Sequence, residues 1–190
     1  MIDLTNAIKI GEGNERICYE HPNDNLKVIK VTKQNIKSRE QNKIDNVYYK
    51  YLRKKDVDCS HLPSCYGYIK TTLGEGLIFD KISNYDGSDA FTFEYMLRYN
   101  LLEYEIQKKI LSDLVEYIVD NNILFIDVSL PNIICHKDIE GKYRLVIIDG
   151  LGSRHLGLKF WLYRNFSFLA KRKIKKQIKK LYENFEKLPK

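Results

Sequence analysis

Alternating apolar and polar positions dominate the first third of the chain and predict β-strands. Residues 15–20 alternate, with Ile17 and Tyr19 on one face, and residues 26–31 form a β-branched run. Residues 7–10 lead into a glycine-containing turn, and the polar stretch between the two runs is typical of a second turn. We therefore predict two strands linked as a hairpin, with a third strand beside them.

Apolar residues at three- and four-residue spacing predict two long helices farther along. The first spans about residues 35–55 and the second about residues 102–121. Between them, residues 66–71 and 76–82 read as two more strands joined by a short turn.

The order of these elements predicts a mixed α+β fold. Five strands carry one helix after the third, and a turn-rich break at residues 84–88 precedes the second helix. We expect an N-terminal lobe at residues 1–82 with an antiparallel five-stranded sheet and one helix. A small, mostly helical C-terminal lobe follows at 83–158, and a basic aromatic helical segment at 159–190.

Composition narrows the class of protein. The chain has 190 residues, of which 44% are hydrophobic, which is enough for a sizeable core. No apolar run approaches the roughly 20 residues of a membrane span, and the first residues do not resemble a signal peptide. We therefore expect a cytoplasmic protein. The four cysteines form no Cys-x-x-Cys pair, which argues against a zinc site.

The positive charge is concentrated at the C-terminal end. Residues 159–190 hold eleven Lys/Arg against two Glu, a net charge of +9, whereas the rest of the chain carries −2. One interpretation is a helix that packs an apolar stripe on the second lobe and leaves its lysines in water. Another is attachment to an anionic membrane surface at the inner face of the membrane. Nucleic acid is not expected as a partner, since no base-reading module accompanies the charge.

Three polar residues near the middle of the chain suggest chemistry. Asp127 and Asn132 are five residues apart, and Asp149 follows 17 residues later at the end of an apolar run. Phosphoryl transfer needs one carboxylate facing the attacking hydroxyl, and an amide oxygen with a second carboxylate to bind Mg²⁺. A hairpin that starts at Asn132 and returns to Asp149 would bring the two metal ligands together.

Upstream residues could bind the nucleotide. Gly11 and Gly13 lie between two strands, where glycine lets the backbone approach phosphates. Lys30 lies on the following strand, and either Glu40 or Asp45 on the first helix could orient it. Each signal alone is common, because a Gly-x-Gly is usually a turn and a strand lysine is usually solvated. Their order along the chain favours a site.

The sequence resembles the protein-kinase-like superfamily, and within it the YrbL family of PhoP regulatory network proteins. The resemblance runs from about Ile8 to Phe168. The matching segments are Ile10-Gly11-Glu12-Gly13, Cys18-Tyr19-Glu20-His21-Pro22, Val28-Ile29-Lys30-Val31, Tyr48-Tyr49, Tyr85-Asp86-Gly87, Leu130-Pro131-Asn132-Ile133-Ile134-Cys135-His136 and Asp149-Gly150-Leu151-Gly152.

The resemblance implies a compact bilobal kinase fold with ATP and Mg²⁺ as cofactors. Asp127 would be the catalytic base, with Asn132 and Lys30 beside it in the catalytic set, and Asn132 and Asp149 would be the metal ligands. Asp45 matches the family's helix acid better than Glu40 does. The implied ATP-binding set is Gly11, Glu12, Gly13, Lys30, Asp45, Asp80 and Ile82, the last two through the backbone at the adenine.

Several positions depart from the usual kinase pattern. Phe125-Ile126 stands where His-Arg is usual, Ser129 replaces a frequent lysine, and only 41 residues follow Asp149. The short remainder favours a small-molecule kinase, with a sugar or a lipopolysaccharide- or glycolipid-type acceptor. The missing His-Arg favours the alternative, a nucleotide-binding pseudokinase with a regulatory or scaffolding role.

Overall fold

The computed structural model describes residues 1–34 and 40–188. Within these ranges the chain forms two compact units. The first comprises Met1–Asp56 and Pro63–Lys81, and the second comprises Val57–Leu62 and Ile82–Lys190.

The first unit is built on one antiparallel sheet of five strands in the order β1-β2-β3-β5-β4. The strands are β1 Lys9–Glu12, β2 Arg16–His21, β3 Asp24–Thr32, β4 Cys65–Thr71 and β5 Gly74–Asp80. The single helix described in this unit, α1, spans Gln41–Lys54 between β3 and β4. The predicted order of strands and helix is confirmed; the predicted helix start at residue 35 lies outside the described residues.

Alternation along β3 assigns its side chains to two environments. Ile29 and Val31 belong to a small core with Leu4. The intervening Lys30 points to the opposite face of the sheet, where the Asn42 side chain of α1 donates to the Lys30 carbonyl oxygen at 2.9 Å. The helix therefore covers the face of the sheet that carries Lys30.

The second unit is mostly helical and contains one hairpin. Its elements are α2 Phe93–Arg98, α3 Tyr104–Asp120, a short 3-10 helix Leu130–Asn132, β6 Ile133–Lys137, β7 Tyr143–Ile147, α4 Leu158–Asn165 and α5 Ser167–Glu186. The sequence pattern did not predict α2, because six residues are too few to show a helical period. This helix begins after Thr92, whose hydroxyl accepts from the Tyr95 amide at 3.2 Å.

The basic tail forms a packed amphipathic helix. Ala170, Ile174, Leu181 and Phe185 of α5 are all at most 5% exposed. Their spacing of four and seven residues places them on one side of the helix. The lysines of α5 lie mainly outside this stripe, so the tail packs as a helix against the rest of its unit.

None of the helices formed by residues 1–34 and 40–188 combines the length and the apolar character needed to span a membrane.

Candidate functional site

The loop before β6 brings Asp127 and Asn132 into direct contact. The Asn132 side-chain nitrogen Nδ2 donates to the Asp127 carbonyl oxygen at 3.0 Å and to carboxylate Oδ2 at 3.2 Å. Two turn bonds fix the spacing, from the Ser129 amide to the Asp127 carbonyl oxygen at 2.8 Å and from the Asn132 amide to the Ser129 carbonyl oxygen at 3.0 Å. The carboxylate of Asp127 is therefore oriented while the residue remains exposed.

The hairpin β6–β7 returns the chain to the same place. Ile133 of β6 pairs with Ile147 of β7, and the Ile148 amide donates to the Asn132 carbonyl oxygen at 2.9 Å. Asp149 follows directly, and its Oδ1 accepts from the Gly150 amide at 2.7 Å. The hairpin thus brings the Asp149 segment back to Asn132, as the spacing predicts.

Gly150 packs directly against Asp127 and Asn132, and the sequence pattern does not identify it as a site residue. Its φ is +82°, and its carbonyl oxygen accepts from the amides of Ile126 at 2.8 Å and Asp127 at 3.0 Å. A Cβ at this position would lie 2.8 Å from the Asp127 carbonyl oxygen, 2.9 Å from its Cβ and 3.1 Å from Asn132 Nδ2. Only glycine fits both the backbone conformation and the space.

The donor set fits a magnesium ion bound mainly through a nucleotide. Because Nδ2 of Asn132 is hydrogen-bonded to Asp127, its Oδ1 is the amide atom left to face a cation. With a carboxylate oxygen of Asp149 this gives two hard oxygen donors, the kind Mg²⁺ prefers when phosphates and water complete its shell. Among the described residues, no group of three or more His, Cys, Asp or Glu side chains is arranged to bind a metal ion. A magnesium ion here would therefore depend on phosphate and water ligands.

In the first unit, Lys30 lies in a largely dry environment. The residue is 7% exposed, and its ammonium nitrogen lies 4.8 Å from the centroid of the Phe79 ring on β5. A cation above an aromatic face is favourable, and burial of an ammonium group is costly unless it also has charged partners. The burial of Lys30 is therefore of the kind expected of a lysine that binds an anionic group inside the protein.

Asp45 is the buried acid on α1. It is 3% exposed, and its Oδ2 accepts from Arg16 Nη1 at 2.5 Å while Oδ1 accepts from Gln41 Nε2 at 3.1 Å. Glu40 is the residue that precedes the first turn of α1. Asp45 follows Asn42 by three positions, and Asn42 contacts the Lys30 backbone, so α1 presents Asp45 toward this part of β3. The pairing of Asp45 with Lys30 stays a prediction.

Arg16 is a buried partner of Asp45 that the sequence pattern does not identify. Only 6% of it is exposed, and its Nη1 also donates to Asn42 Oδ1 at 3.0 Å. It starts β2 directly after the glycine-containing turn, and the Gly13 amide donates to its carbonyl oxygen at 2.9 Å. Arg16 therefore connects that turn to α1.

Glu12 is the last residue of β1, so Gly11 and Glu12 lie in this strand and not between two strands as predicted. Lysines bind the Glu12 side chain from both sides. Its carboxylate pairs with Lys33 at 2.6 Å and with Lys9. Hydrogen bonds from Lys33, and then from Lys9, lower the pKa of Glu12 to about 2. Glu12 is thus ionised at neutral pH, and its side chain is engaged with lysines, so any phosphate contact here would come from the backbone.

The predicted adenine-contacting backbone is partly engaged. The Asp80 amide donates to the Ser64 carbonyl oxygen at 3.1 Å, and the Lys81 amide donates to the Leu26 carbonyl oxygen at 2.8 Å. Asp80 ends β5 in the first unit, and Ile82 is assigned to the second unit. The adenine contact of Asp80 and Ile82 stays a prediction.

Known proteins resemble this chain over most of its length. A family described as "PhoP regulatory network protein YrbL" matches residues 2–186. The YrbL proteins of Escherichia coli (strain K12) and Shigella flexneri, each described as "uncharacterized protein YrbL", are 28% identical over 159 residues. Each match covers 82% of this chain and 76% of the relative.

One solved structure to which this chain is similar is a chain of the CAK complex from Chaetomium thermophilum bound to ATP-gamma-S. The TM-score is 0.47 at 18% identity, and the alignment covers 73% of this chain but 44% of that one. The family match spans nearly all of the sequence. The chain therefore belongs to the YrbL family of PhoP regulatory network proteins.

Proposed function

We propose that this protein is an ATP- and Mg²⁺-dependent phosphotransferase that acts on a hydroxyl group. The observation that carries the proposal is the contact of Asn132 Nδ2 with both the backbone and the carboxylate of Asp127, beside the returning Asp149 segment. A base, an amide oxygen and a second carboxylate in this order are the parts that phosphoryl transfer needs.

Each residue has a distinct task in the proposed reaction. Asp127, with one carboxylate oxygen fixed by Asn132, would orient the acceptor hydroxyl and accept its proton. Asn132 Oδ1 and Asp149 would bind Mg²⁺, which when bound neutralises phosphate charge. Lys30 would bind the α- and β-phosphates, with Asp45 fixing its position through α1.

The short segment after Asp149 supports a small acceptor. Seven residues, 151–157, separate Gly150 from the start of α4. A segment of this length leaves no room for a long peptide-binding loop. We therefore favour the hydroxyl of a sugar or of a glycolipid or lipopolysaccharide-type headgroup.

Binding of Mg·ATP tests the nucleotide part of the proposal. Asp149→Asn keeps the size of the side chain but removes a metal-binding charge, so it should weaken Mg·ATP binding while leaving binding of metal-free ATP unchanged. Glu105→Gln, an exposed carboxylate on α3, is the matched control. Equal Mg·ATP affinity in Asp149→Asn and the control would contradict the assignment of Asp149.

A pseudokinase that binds nucleotide without transfer is the alternative. It is favoured by Phe125 and Ile126, which are 1% and 8% exposed and offer only apolar side chains before Asp127. Nucleotide binding without turnover, unaffected by Asp127→Asn, would support this alternative.

We further propose that the enzyme works at the cytoplasmic face of a membrane. Trp161, Phe166 and Phe168 form an exposed ring cluster with centroid distances of 5.9 Å and 6.4 Å. Exposed Lys171 and Arg172 follow within the next turn. Aromatic rings beside basic residues suit an anionic lipid surface, where each basic residue contributes about 1 kcal/mol.

Co-sedimentation with vesicles tests this location. Phe168→Ser, at 66% exposure, should reduce binding to vesicles containing anionic lipid, whereas Leu26→Ser, at 69% exposure in the first unit, should not. Wild-type protein that stays in the supernatant at about 0.15 M salt would remove the membrane from the proposal.

A further inference from the structure

The backbone around the candidate catalytic base receives hydrogen bonds from the C-terminal helix. Gln177 Nε2 donates to the carbonyl oxygens of Phe125 at 3.2 Å and Ile126 at 2.5 Å. Asn184 Nδ2 donates to the carbonyl oxygen of Val128 at 2.7 Å. Three carbonyl groups flanking Asp127 are therefore bound by two side chains that lie about 50 residues away in the sequence.

The spacing of these two amides matches the geometry of α5. Seven residues turn a helix through about 700°, so Gln177 and Asn184 point the same way to within about 20° and lie about 10.5 Å apart along the axis. Both are partly buried and lie within or beside the stripe that contains Leu181. The helix thus presents two donors along one edge of the loop.

Apolar packing fixes α5 against its own unit. Phe185, next to Asn184, is 5% exposed and stacks on Phe93 at 6.0 Å and on Tyr104 at 6.1 Å between ring centroids. Aromatic stacking of this kind adds to the energy of burial. The helix therefore offers Asn184 from a well-packed position.

The opposite edge of the loop is bound by Gly150. Its carbonyl oxygen accepts from the amides of Ile126 and Asp127. Apart from an isolated bridge between Phe125 and Leu151, residues 125–129 lie outside the helices and strands. Backbone groups that are buried and left unpaired are costly. Gly150 thus accepts from two N–H groups of the loop. Helix α5 donates to three C=O groups of the loop.

We infer that Gln177 and Asn184 are positioning residues that orient Asp127 by binding the carbonyl groups of its loop. Phe125 and Ile126 are buried and apolar, so the side chains preceding Asp127 cannot form these bonds, and the C-terminal helix supplies them instead. The catalytic consequence rests on the proposed phosphotransferase function; the positioning of the loop does not.

The test removes both donors and keeps side-chain size. Gln177→Met with Asn184→Leu should lower kcat about 10²-fold, the scale of a small displacement at a reacting group. The KM for Mg·ATP should stay within about twofold, since the metal and phosphate contacts are unchanged. Exchange of the Asp127 and Ser129 backbone amides, followed by NMR, should accelerate about tenfold or more.

The matched control makes the same chemical changes elsewhere. Gln107 Nε2 donates to the Leu102 carbonyl oxygen at 2.7 Å, and Asn165 Nδ2 donates to the Trp161 carbonyl oxygen at 2.8 Å. Gln107→Met with Asn165→Leu should lower the free energy of global unfolding and leave kcat unchanged. Amide exchange in the Asp127 loop should then be no faster than this loss of global stability explains. Gln177→Lys retains an N–H donor and should recover most of the kcat lost in Gln177→Met.

The outcomes separate the two proposals. If the Gln177→Met, Asn184→Leu variant matches the control variant in kcat and in amide exchange of the loop, the positioning role is overturned. If wild-type protein transfers no phosphoryl group, the proposed function fails while amide exchange still decides the role of α5. Should the double variant not fold, the comparison of Gln177→Met with Gln177→Lys decides: equal loop exchange in the two would overturn the inference.

Discussion

Replacing Gly150 with alanine should disturb the candidate active site in a way that the structure quantifies. The backbone has φ of +82°, which costs a residue with a side chain about 1–2 kcal/mol. The new methyl group would also lie 2.8 Å from the Asp127 carbonyl oxygen and 2.9 Å from the Asp127 Cβ. Forcing an extra methyl into packed surroundings costs about 1–3 kcal/mol more.

A second glycine separates these two contributions. Gly87 has φ of +80°, and a Cβ there would meet no atom within 4 Å. Gly87→Ala should therefore lose about 1–2 kcal/mol of unfolding free energy from backbone strain alone. Gly150→Ala should lose about 1–3 kcal/mol more than that, because its methyl group must displace Asp127.

Denaturant unfolding of the two variants measures the stability difference, and phosphoryl transfer measures the displacement of the base. Gly150→Ala should lose most of its turnover, whereas Gly87→Ala should keep it. Equal unfolding free energies in the two variants would refute the close approach of Gly150 to Asp127.

Three further predictions concern groups outside the Asp127 loop. Arg16→Met removes a buried partner of Asp45 and should cost about 3–5 kcal/mol in denaturant unfolding; a loss below about 1 kcal/mol would mean that the pair is solvated. Burial raises the pKa of Cys135 to about 12. Iodoacetamide at pH 8 should therefore modify the exposed Cys59 in the folded protein but modify Cys135 only after unfolding, and mass spectrometry identifies the modified cysteine. Burial is the largest cause that lowers the pKa of His61 in the folded protein below its ordinary value of 6.5. The contribution of neutral His61 to the free energy of unfolding is therefore complete above pH 6.5, and it is lost as the pH falls through the lower pKa of the folded protein. His61→Phe should flatten the fall in melting temperature between about pH 7.5 and 5, and an unchanged slope would show that other groups cause it.

The Asp127, Asn132 and Asp149 cluster could be predicted from the sequence because local geometry determines it. A five-residue loop and a hairpin of known pairing place their ends together, and each end follows an apolar run that fixes its direction. The order of strands and helices in the first unit was predictable for the same reason, since its apolar periods are regular.

Other contacts could not be predicted because they depend on tertiary packing. Arg16 alternates like a solvent-facing strand residue, and only the position of α1 shows that it is buried against Asp45. Gln177 and Asn184 lie in a lysine-rich helix, and nothing in their local pattern identifies a loop about 50 residues upstream as their partner. Gly150 follows Asp149 as in many turns, and only its positive φ and its contact distances in the structure distinguish it.

Single-turnover transfer from radiolabelled ATP tests the central claim most directly. With Mg²⁺ and a hydroxyl acceptor, or water in its place, wild-type protein should consume the γ-phosphoryl group. Asp127→Asn should slow this step about 10²–10⁴-fold while Mg·ATP still binds. The same rate in wild type and Asp127→Asn, or binding of Mg·ATP with no turnover in either, would contradict the assignment of this chain as a phosphotransferase.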